Sequence, residues 1–533
     1  MSNKKCHIHL LPHGRQIEAK PGKNLLESLM DKSIFLRSDC GGKGVCKKCK
    51  VRVITENGDF ESKKACTFTI LKDVAIEIPE SSMLSSHIIS KPPVSLPAVF
   101  MDRFKDVDGK DCYGIATDLG TTTIATYFCN INSGKILSSL AVKNPQALYG
   151  DDVMSRIGAI GQDNKHLEHL QKLVVKAIES GIKELLLSLD FKEEMVSQMV
   201  AVGNPTMIHI LAGVDPKPIG VSPYKPAFYE ARNISSKDLG FTIKDFFIQL
   251  LPQVSGFIGG DILSAAMAVD LENQPEGTLL VDLGTNGELM LKGKDRFFAT
   301  SCATGPAFEG ASLSCGMQAI PGAINNVEIK SQKDLSEYTI INPLNSSTVK
   351  PSGICGTGVI SAVTQLCKKK IIEPGGAFNK NINLLALNRD DSGKIKYDIV
   401  PENASQDGSA IFISQKDIRS VQLGKGALIT GIEFLLKEAG FEKAEKIIIA
   451  GAFGSFLDKE DMMELGMIPT MDLSQIEVAG NSAGAGAIMV LCDKVFLEKS
   501  IQISSQVIVV DLACNQDFQN VFVQNLAFSQ QEY

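Results

Sequence analysis

The chain has 533 residues, 44% hydrophobic and 22% charged, and a net charge of −7, which predicts an ordinary soluble protein of three or four domains. No stretch reaches 18 uninterrupted apolar residues and the opening MSNKKCHIHLLPHGR has no apolar core, so a cytoplasmic protein that is not membrane-inserted is expected. Thirteen cysteines are too sparse for a disulfide scaffold, which again argues for a reducing compartment. The charge is uneven, with +5 on residues 1–80 and −12 on the remaining 453. No nucleic-acid-binding module accompanies the basic end, so nucleic acid is not expected as a partner.

Residues 6–12 and 15–20 alternate like a hairpin around Gly14, and 24–32 reads as a helix capped by Asn24. A glycine-rich cysteine segment follows, then a strand over 50–55, a turn at Asn57-Gly58 and a strand over 74–79. The order resembles a ferredoxin-like β-grasp domain. Cys40, Cys46, Cys49 and Cys66 are spaced C-x5-C-x2-C-x16-C, three on one tight loop and a fourth brought in by the fold. Four thiolates so arranged suit a [2Fe–2S] cluster, and Gly41, Gly42 and Gly44 let the loop turn N–H groups toward its sulfides. Zinc is the alternative, but zinc sites usually pair two C-x2-C knuckles and only one is present. Lys43, Lys47, Lys48 and Lys50 surround the loop, either as solvated lysines or as a basic face that docks an acidic partner.

Residues 81–112 differ in kind, being Ser-rich, aperiodic and marked by Pro92, Pro93 and Pro97. They read as a semi-stiff linker. Beyond it the chain repeats itself. An apolar strand over 114–118 ends in Asp118-Leu119-Gly120-Thr121-Thr122-Thr123, followed by a strand over 124–129 and a turn at Gly134. Residues 278–282 do the same, ending in Asp282-Leu283-Gly284-Thr285-Asn286-Gly287, followed by 288–291 and a turn at Gly293. The two Asp lie 164 residues apart, so the repeated unit is the size of a domain. Helical stretches such as 166–189 and 426–438 separate the strand groups. The expected fold class is therefore α/β: an α+β domain at 1–80, a linker at 81–112, and two lobes, roughly 113–275 and 276–533.

Each repeated turn has a Gly for tightness and Thr hydroxyls with exposed N–H groups for phosphate oxygens, and its Asp can hold Mg²⁺ through waters. A third element is the strand over 446–450 running into Gly451-Ala452-Phe453-Gly454, where glycines let backbone lie flat on an adenine and ribose. The helix over 482–491 opens Ser-Ala-Gly-Ala-Gly-Ala, small enough on one face to pack closely against that site. This three-part set resembles the ribonuclease-H-like, actin-like superfamily of actin, sugar kinases, acetate kinase and the heat-shock chaperone ATPase. The resemblance implies two lobes closing on ATP, with Asp118 and Asp282 catalytic. It also implies that Gly120, Thr121, Thr122, Thr123, Gly284, Thr285, Asn286, Gly287, Gly451, Ala452, Phe453 and Gly454 bind the nucleotide.

Together the two modules resemble the reductive activators of corrinoid proteins. Further stretches carry that resemblance: 144–157 (NPQALYGDDVMSRI), 203–209 (GNPTMIH), 302–310 (CATGPAFEG) and 415–426 (QKDIRSVQLGKG). It implies a [2Fe–2S] cluster, ATP and Mg²⁺ as cofactors, and two partners: a low-potential electron donor and a Co(II) corrinoid methyl carrier to be reduced to Co(I). Three features depart from the family pattern. The step from Cys49 to Cys66 is shorter than usual, and the linker is too short for the small middle domain of longer relatives. There is also no C-terminal cysteine cluster of the two-[4Fe–4S] type. Other readings are an activator of radical dehydratases or ring reductases, which needs cysteines within the ATPase, and a chaperone-like ATPase whose cluster senses redox state. The methyl donor and the oligomeric state, a homodimer included, are left open.

Overall fold

The computed structural model describes residues 5–12, 14–32, 34–36, 42, 44, 49–55, 57–79, 82–83, 94–103, 111–310, 313–330, 336–342, 349–382, 384–389, 393–451, 457–512 and 515–528. The N-terminal sheet is built from β1 (Cys6–Leu11), β2 (Arg15–Ala19), β3 (Lys50–Ile54), β4 (Phe60–Lys64) and β5 (Val74–Glu77), in the order β2-β1-β5-β3-β4. Strand β1 alternates as its sequence does, turning Cys6, Ile8 and Leu10 into a core that holds Leu25, Leu26 and Leu29 of the helix Leu25–Met30. Asn24 caps that helix by accepting from the Leu26 N–H at 2.9 Å. Sequence reading missed β4, whose outer residues Phe60, Glu61 and Ser62 are exposed and show no alternation. It pairs with β3 across the Asn57-Gly58 turn, in the register Lys50↔Lys64.

The first lobe carries β6 (Tyr113–Leu119), β7 (Thr123–Asn130), β8 (Lys135–Lys143), β9 (Val196–Gly203), β10 (Arg232–Ser235) and β11 (Phe247–Leu250), ordered β10-β11-β9-β6-β7-β8. The second carries β12 (Thr278–Leu283), β13 (Gly287–Lys292) and β14 (Phe297–Cys302). Two small sheets follow, β15 (Ala323–Glu328) with β16 (Glu337–Ile340) and β17 (Gly353–Ile354), and β18 (Leu387–Arg389) with β19 (Ile395–Val400) and β20 (Ile411–Ser414). Then β21 (Lys446–Ala450), β22 (Ile476–Gly480) and β23 (Val507–Val509) complete a sheet ordered β22-β21-β12-β13-β14-β23. In both lobes an antiparallel meander, β6-β7-β8 or β12-β13-β14, is joined on its first strand by two parallel strands. The duplication is thus real at the level of strand order and direction, and each Asp-Leu-Gly-Thr segment falls at the same meander turn.

The two sheets face each other across a shared apolar layer. Ala116 and Val200 from the first, Leu280 and Ile448 from the second, and Ile262, Ala266, Ala483 and Ala487 from two intervening helices form one buried cluster. Those helices, Gly260–Ala268 and Ser482–Cys492, touch almost backbone to backbone: the Ser264 hydroxyl donates to the Ala483 carbonyl at 2.7 Å, and a Cβ on Gly486 would stand 2.1 Å from the Ser264 carbonyl oxygen. The small face expected of 482–491 is what permits this approach.

Two expectations are corrected. The helix expected over 426–438 is Gln415–Ala439; it starts eleven residues earlier because Ser414 and Asp417 form a reciprocal capping box. The stretch 94–103, read as part of a semi-stiff linker, is packed onto the two lobes. Val94 bridges to Gly480, and the short helix Ala98–Asp102 buries Phe100 against Ala268, Ala485 and Met489. Arg103 ion-pairs with Asp493 at 2.5 Å.

Gly486→Ala should lower the unfolding midpoint by an amount equivalent to about 1–3 kcal/mol, the usual cost of overpacking. Gly158→Ala, at an exposed helical site with no atom within 4 Å of the new Cβ, should raise it slightly. A second expectation concerns pH. His209 is buried and stacked on Phe228, its Nδ1–H donating to the Pro205 carbonyl at 2.7 Å while Nε2 accepts from the Ala227 N–H at 2.9 Å. Burial holds it neutral and lowers it to about 4. Because the unfolded chain takes up that proton at higher pH, thermal stability should be full above about pH 6.5 and fall steadily toward pH 4. Thermal scans across that range check it, and a His209→Gln chain should show a shallower fall.

Candidate functional site

The turns β6–β7 and β12–β13 meet at the mouth of the interlobe layer. The hydroxyls of Thr122 and Thr285, one from each turn, lie 2.9 Å apart, and Thr285 donates onward to Glu309 Oε1 at 3.0 Å. The cleft they border is lined by Asp118, Gly120, Thr121, Thr122 and Thr123 from the first turn and by Asp282, Leu283, Gly284, Thr285 and Asn286 from the second. Gly451 closes it at the end of β21 with φ +105°, and a Cβ there would sit 2.4 Å from the Leu283 carbonyl oxygen and 3.0 Å from Asp282 Oδ1. Gly287 is not among the lining residues; it opens β13, where a Cβ would meet the Thr304 methyl at 2.9 Å. Ala452, Phe453 and Gly454 lie outside the described residues.

Sequence reading missed part of the cleft. Asp261 stands at the start of the helix Gly260–Ala268, Glu288 lies across the ladder from Asp282, and Glu309, Asn204 and Asn481 complete the wall. Asn481 caps the helix Ser482–Cys492 and donates from Nδ2 to Asp118 Oδ2 and to the Tyr127 hydroxyl, both at 3.0 Å. Asn204 caps the helix Pro205–Leu211 and donates to Thr121 Oγ1 at 3.0 Å. Buried Arg156 donates to the Thr121 carbonyl at 2.6 Å. The available signals were weak: Asp261, Asn204 and Asn481 are ordinary helix starts and Glu288 an ordinary strand position until the fold brings them together.

The electrostatics describe a site that attracts positive charge. Burial pushes Asp282 up to about 8, with the negative charges of Asp118 and Asp261 adding to it. Burial raises Asp118 to about 7 against the Asn481 amide, and Asp261 to about 6. Glu288 is pushed well above the carboxylate range by burial and then by Asp261 and Asp282. Glu309 is also raised by burial, against the Thr122 and Thr285 hydroxyls, and its Oε2 has no hydrogen-bond partner. Among the described residues no three acidic, His or Cys side chains are close enough to ligate one ion directly. An orphaned buried oxygen, a shared negative field and a glycine cradle fit a metal-bound polyphosphate.

In the N-terminal domain, Cys49 and Cys66 are both buried, and the β3–β4 ladder brings them together across the short spacing. The hairpin returns the chain beside its start, with the Ala65 N–H donating to the Cys49 carbonyl at 2.8 Å. Asn24 Nδ2 donates to the Cys66 carbonyl, and Lys64 Nζ to the Gly44 carbonyl at 2.7 Å, which ties the loop to the strand end. Gly42 and Gly44 have φ of +77° and +76°, the conformation the loop was expected to require. Cys40, Cys46, Lys43, Lys47 and Lys48 lie outside the described residues, and Lys50 is exposed. Elsewhere Cys129, Cys302 and Cys355 are buried, and burial raises the Cys129 and Cys302 thiols, as for inert core residues. Among the described residues no helix is long and apolar enough to cross a membrane.

Comparison with known proteins matches three family models in chain order. They are a 2Fe-2S iron-sulfur cluster binding domain at 8–74, the RACo middle region at 113–274, and the C-terminal, ASKHA domain of RACo at 276–533. The middle-region model thus falls on the first lobe. The corrinoid activation enzyme RamQ of Eubacterium limosum is 29% identical over 529 residues, covering 85% of this chain and 88% of that one. A [Co(II) methylated amine-specific corrinoid protein] reductase of Methanosarcina barkeri is 27% identical over 449 residues, covering 78% and 77%. The solved structure of a reductive activator for corrinoid, iron-sulfur protein is 25% identical, covers 98% of both chains and superposes with a TM-score of 0.73. The N-terminal domain is an iron–sulfur domain, and the two lobes form a nucleotide-binding domain of the ASKHA type.

Proposed function

We propose that this chain, which belongs to the family of reductive activators of corrinoid proteins, is an ATP-dependent iron–sulfur reductase that returns a corrinoid methyl carrier from Co(II) to Co(I). The observation that carries the reading is the joining of a cluster domain to a two-lobe nucleotide cleft in one chain, matched along 98% of its length by a reductive activator. The cluster domain is taken as 1–80, the connection as 81–112 and the nucleotide domain as 113–533. A soluble partner in the reducing cytoplasm supplies low-potential electrons. Neither membrane nor nucleic acid enters the scheme.

The cluster is of the [2Fe–2S] type with Cys40, Cys46, Cys49 and Cys66 as ligands, and it supplies one-electron transfer when bound. Buried Cys49 and Cys66 on adjoining positions of one hairpin support that set. Asp118 and Asp282 orient the waters of Mg²⁺. The turns at Gly120, Thr121, Thr122 and Thr123 and at Gly284, Thr285, Asn286 and Gly287 hold phosphates, while Gly451-Ala452-Phe453-Gly454 receives the adenosine. Lining of one cleft by both turns and by Gly451 supports this assignment. Glu309 Oε2, partnerless beside Thr285, is suited to hold the water that attacks the terminal phosphate. Held by those thiolates, the cluster would relay one electron from the external donor to cobalt, with ATP hydrolysed to ADP and phosphate in the cleft.

Asp118→Ala or Asp282→Ala should lower ATP turnover about 100-fold or more while leaving the visible absorbance of the cluster unchanged. Phosphate release and an optical spectrum read both. The function itself is tested by mixing the protein, a low-potential reductant, Mg-ATP and a Co(II) corrinoid protein, and following Co(I) absorbance. Reduction should require ATP and should be lost in Cys66→Ser if that thiol is the fourth ligand. Equal Co(I) yield without ATP would leave only a ferredoxin-like carrier and overturn the proposal.

A further inference from the structure

The short helical turn Pro145–Tyr149, with Asn144 before it, touches both modules at once. On one side it holds the first phosphate turn. Asn144 donates from Nδ2 to the Gly120 carbonyl at 2.9 Å and from its backbone to the Thr122 carbonyl at 2.7 Å. Arg156 donates to the Thr121 carbonyl at 2.6 Å, to Gln146 Oε1 at 3.1 Å and to the Gly150 carbonyl at 3.1 Å. Gly120, Thr121 and Thr122 of the first turn are thereby tied to 144–150.

On its other side the same turn is the seat of the cluster domain. Leu148 and Tyr149 pack in one apolar group with Phe35, Leu36 and Met30 of that domain. A Cβ on Gly42, inside the cysteine loop, would stand 3.3 Å from Leu148 Cδ1. Lys176 of the helix Lys165–Ser188 donates to the Asp31 carbonyl at 2.6 Å. The contact is incompletely filled: a gap remains between Met30, Phe35 and Leu36 on one side and Pro145, Ala147 and Leu148 on the other. A small seat with a gap can open without unfolding either module.

We infer that residues 144–150 are a docking seat for the chain's own cluster domain that couples docking to nucleotide occupancy of the first phosphate turn. Nucleotide that draws Gly120–Thr122 toward the cleft pulls on the back of the seat, so docked and released states of the cluster domain differ in nucleotide affinity. The inference rests on the nucleotide reading above. It also carries a thermodynamic obligation: whatever factor nucleotide applies to docking, docking applies to nucleotide binding.

The test uses the full cluster-loaded chain with Mg²⁺ and a non-hydrolysable ATP analogue. Hydrogen exchange of the amides in 25–36 and 145–149 reports docking, and titration gives the analogue's Kd. In the wild type the analogue should change protection of both segments by about fivefold or more. Leu148→Ser, with Lys176→Met as a second, milder variant, should lose that protection, keep the cluster absorbance, and shift the analogue's Kd by the same factor. A merely structural contact would lose protection without moving the Kd. Tight analogue binding with unchanged exchange in the wild type and unchanged Kd in both variants would overturn the coupling alone. An analogue that fails to bind the wild type would overturn the nucleotide reading and this inference with it.

Discussion

Everything in the two-lobe domain depends on how closely two small-faced helices approach. With only hydrogen at Gly486 and Gly484, the helix Ser482–Cys492 lies against Ser264 on one side and Tyr127 on the other, where a Cβ would stand 2.1 and 2.7 Å from its neighbours. That closeness sets the distance between the sheets. It lets Thr122 and Thr285 meet at 2.9 Å and gathers five carboxylates around one cleft, Glu288 and Glu309 buried and Asp118, Asp261 and Asp282 half-buried. Packing of this kind is stiff, since interiors are dense and bistable rather than continuously deformable. The acidic cleft is therefore held with its carboxylates together even though burial and the charges of Asp118, Asp261 and Asp282 raise their neighbours, a cost that a bound cation would relieve.

The fold was largely legible because its two decisive signals are local. An apolar run ending in Asp-Leu-Gly-Thr, repeated at domain spacing, marks the same meander turn in each lobe. The site was legible only where the chemistry sits on those turns. Glu288 follows the second turn directly, yet its meaning depends on a ladder register that puts it opposite Asp282. Asp261, Asn481 and Asn204 are helix-start residues, chemically indistinguishable in sequence from ordinary caps. Strand β4 hid because an exposed edge strand needs no apolar alternation, and without it the short step to Cys66 looked anomalous.

The packed stretch 94–103 changes how the cluster domain can move. Met83 is bridged to Leu36 on the cluster side and Val94 to Gly480 on the nucleotide side. Eleven Cα steps separate those anchors, so the span between them is at most about 36–40 Å. A linker free over its whole length would reach about three times as far. The cluster therefore works within a bounded radius of its seat as long as both bridges hold, and release of Phe100 from its pocket would be required for a longer excursion. Burial of that ring between helices that also set the lobe spacing links reach to lobe geometry.

The energy scale limits what such a link can accomplish. Coupling between two sites in one protein is typically about 5- to 150-fold, and a tenfold factor corresponds to about 59 mV for a single electron. Nucleotide-dependent docking of the cluster domain can thus shift a one-electron equilibrium by about 40–130 mV. A steeper gap between donor and cobalt has to be met by a second differential interaction, and the chain's own residues leave one place for it. That place is the bound partner, whose corrinoid must be held more tightly in one coordination state than in another. On this division of labour, nucleotide governs when the cluster leaves its seat, and the partner interface governs how far uphill the electron travels.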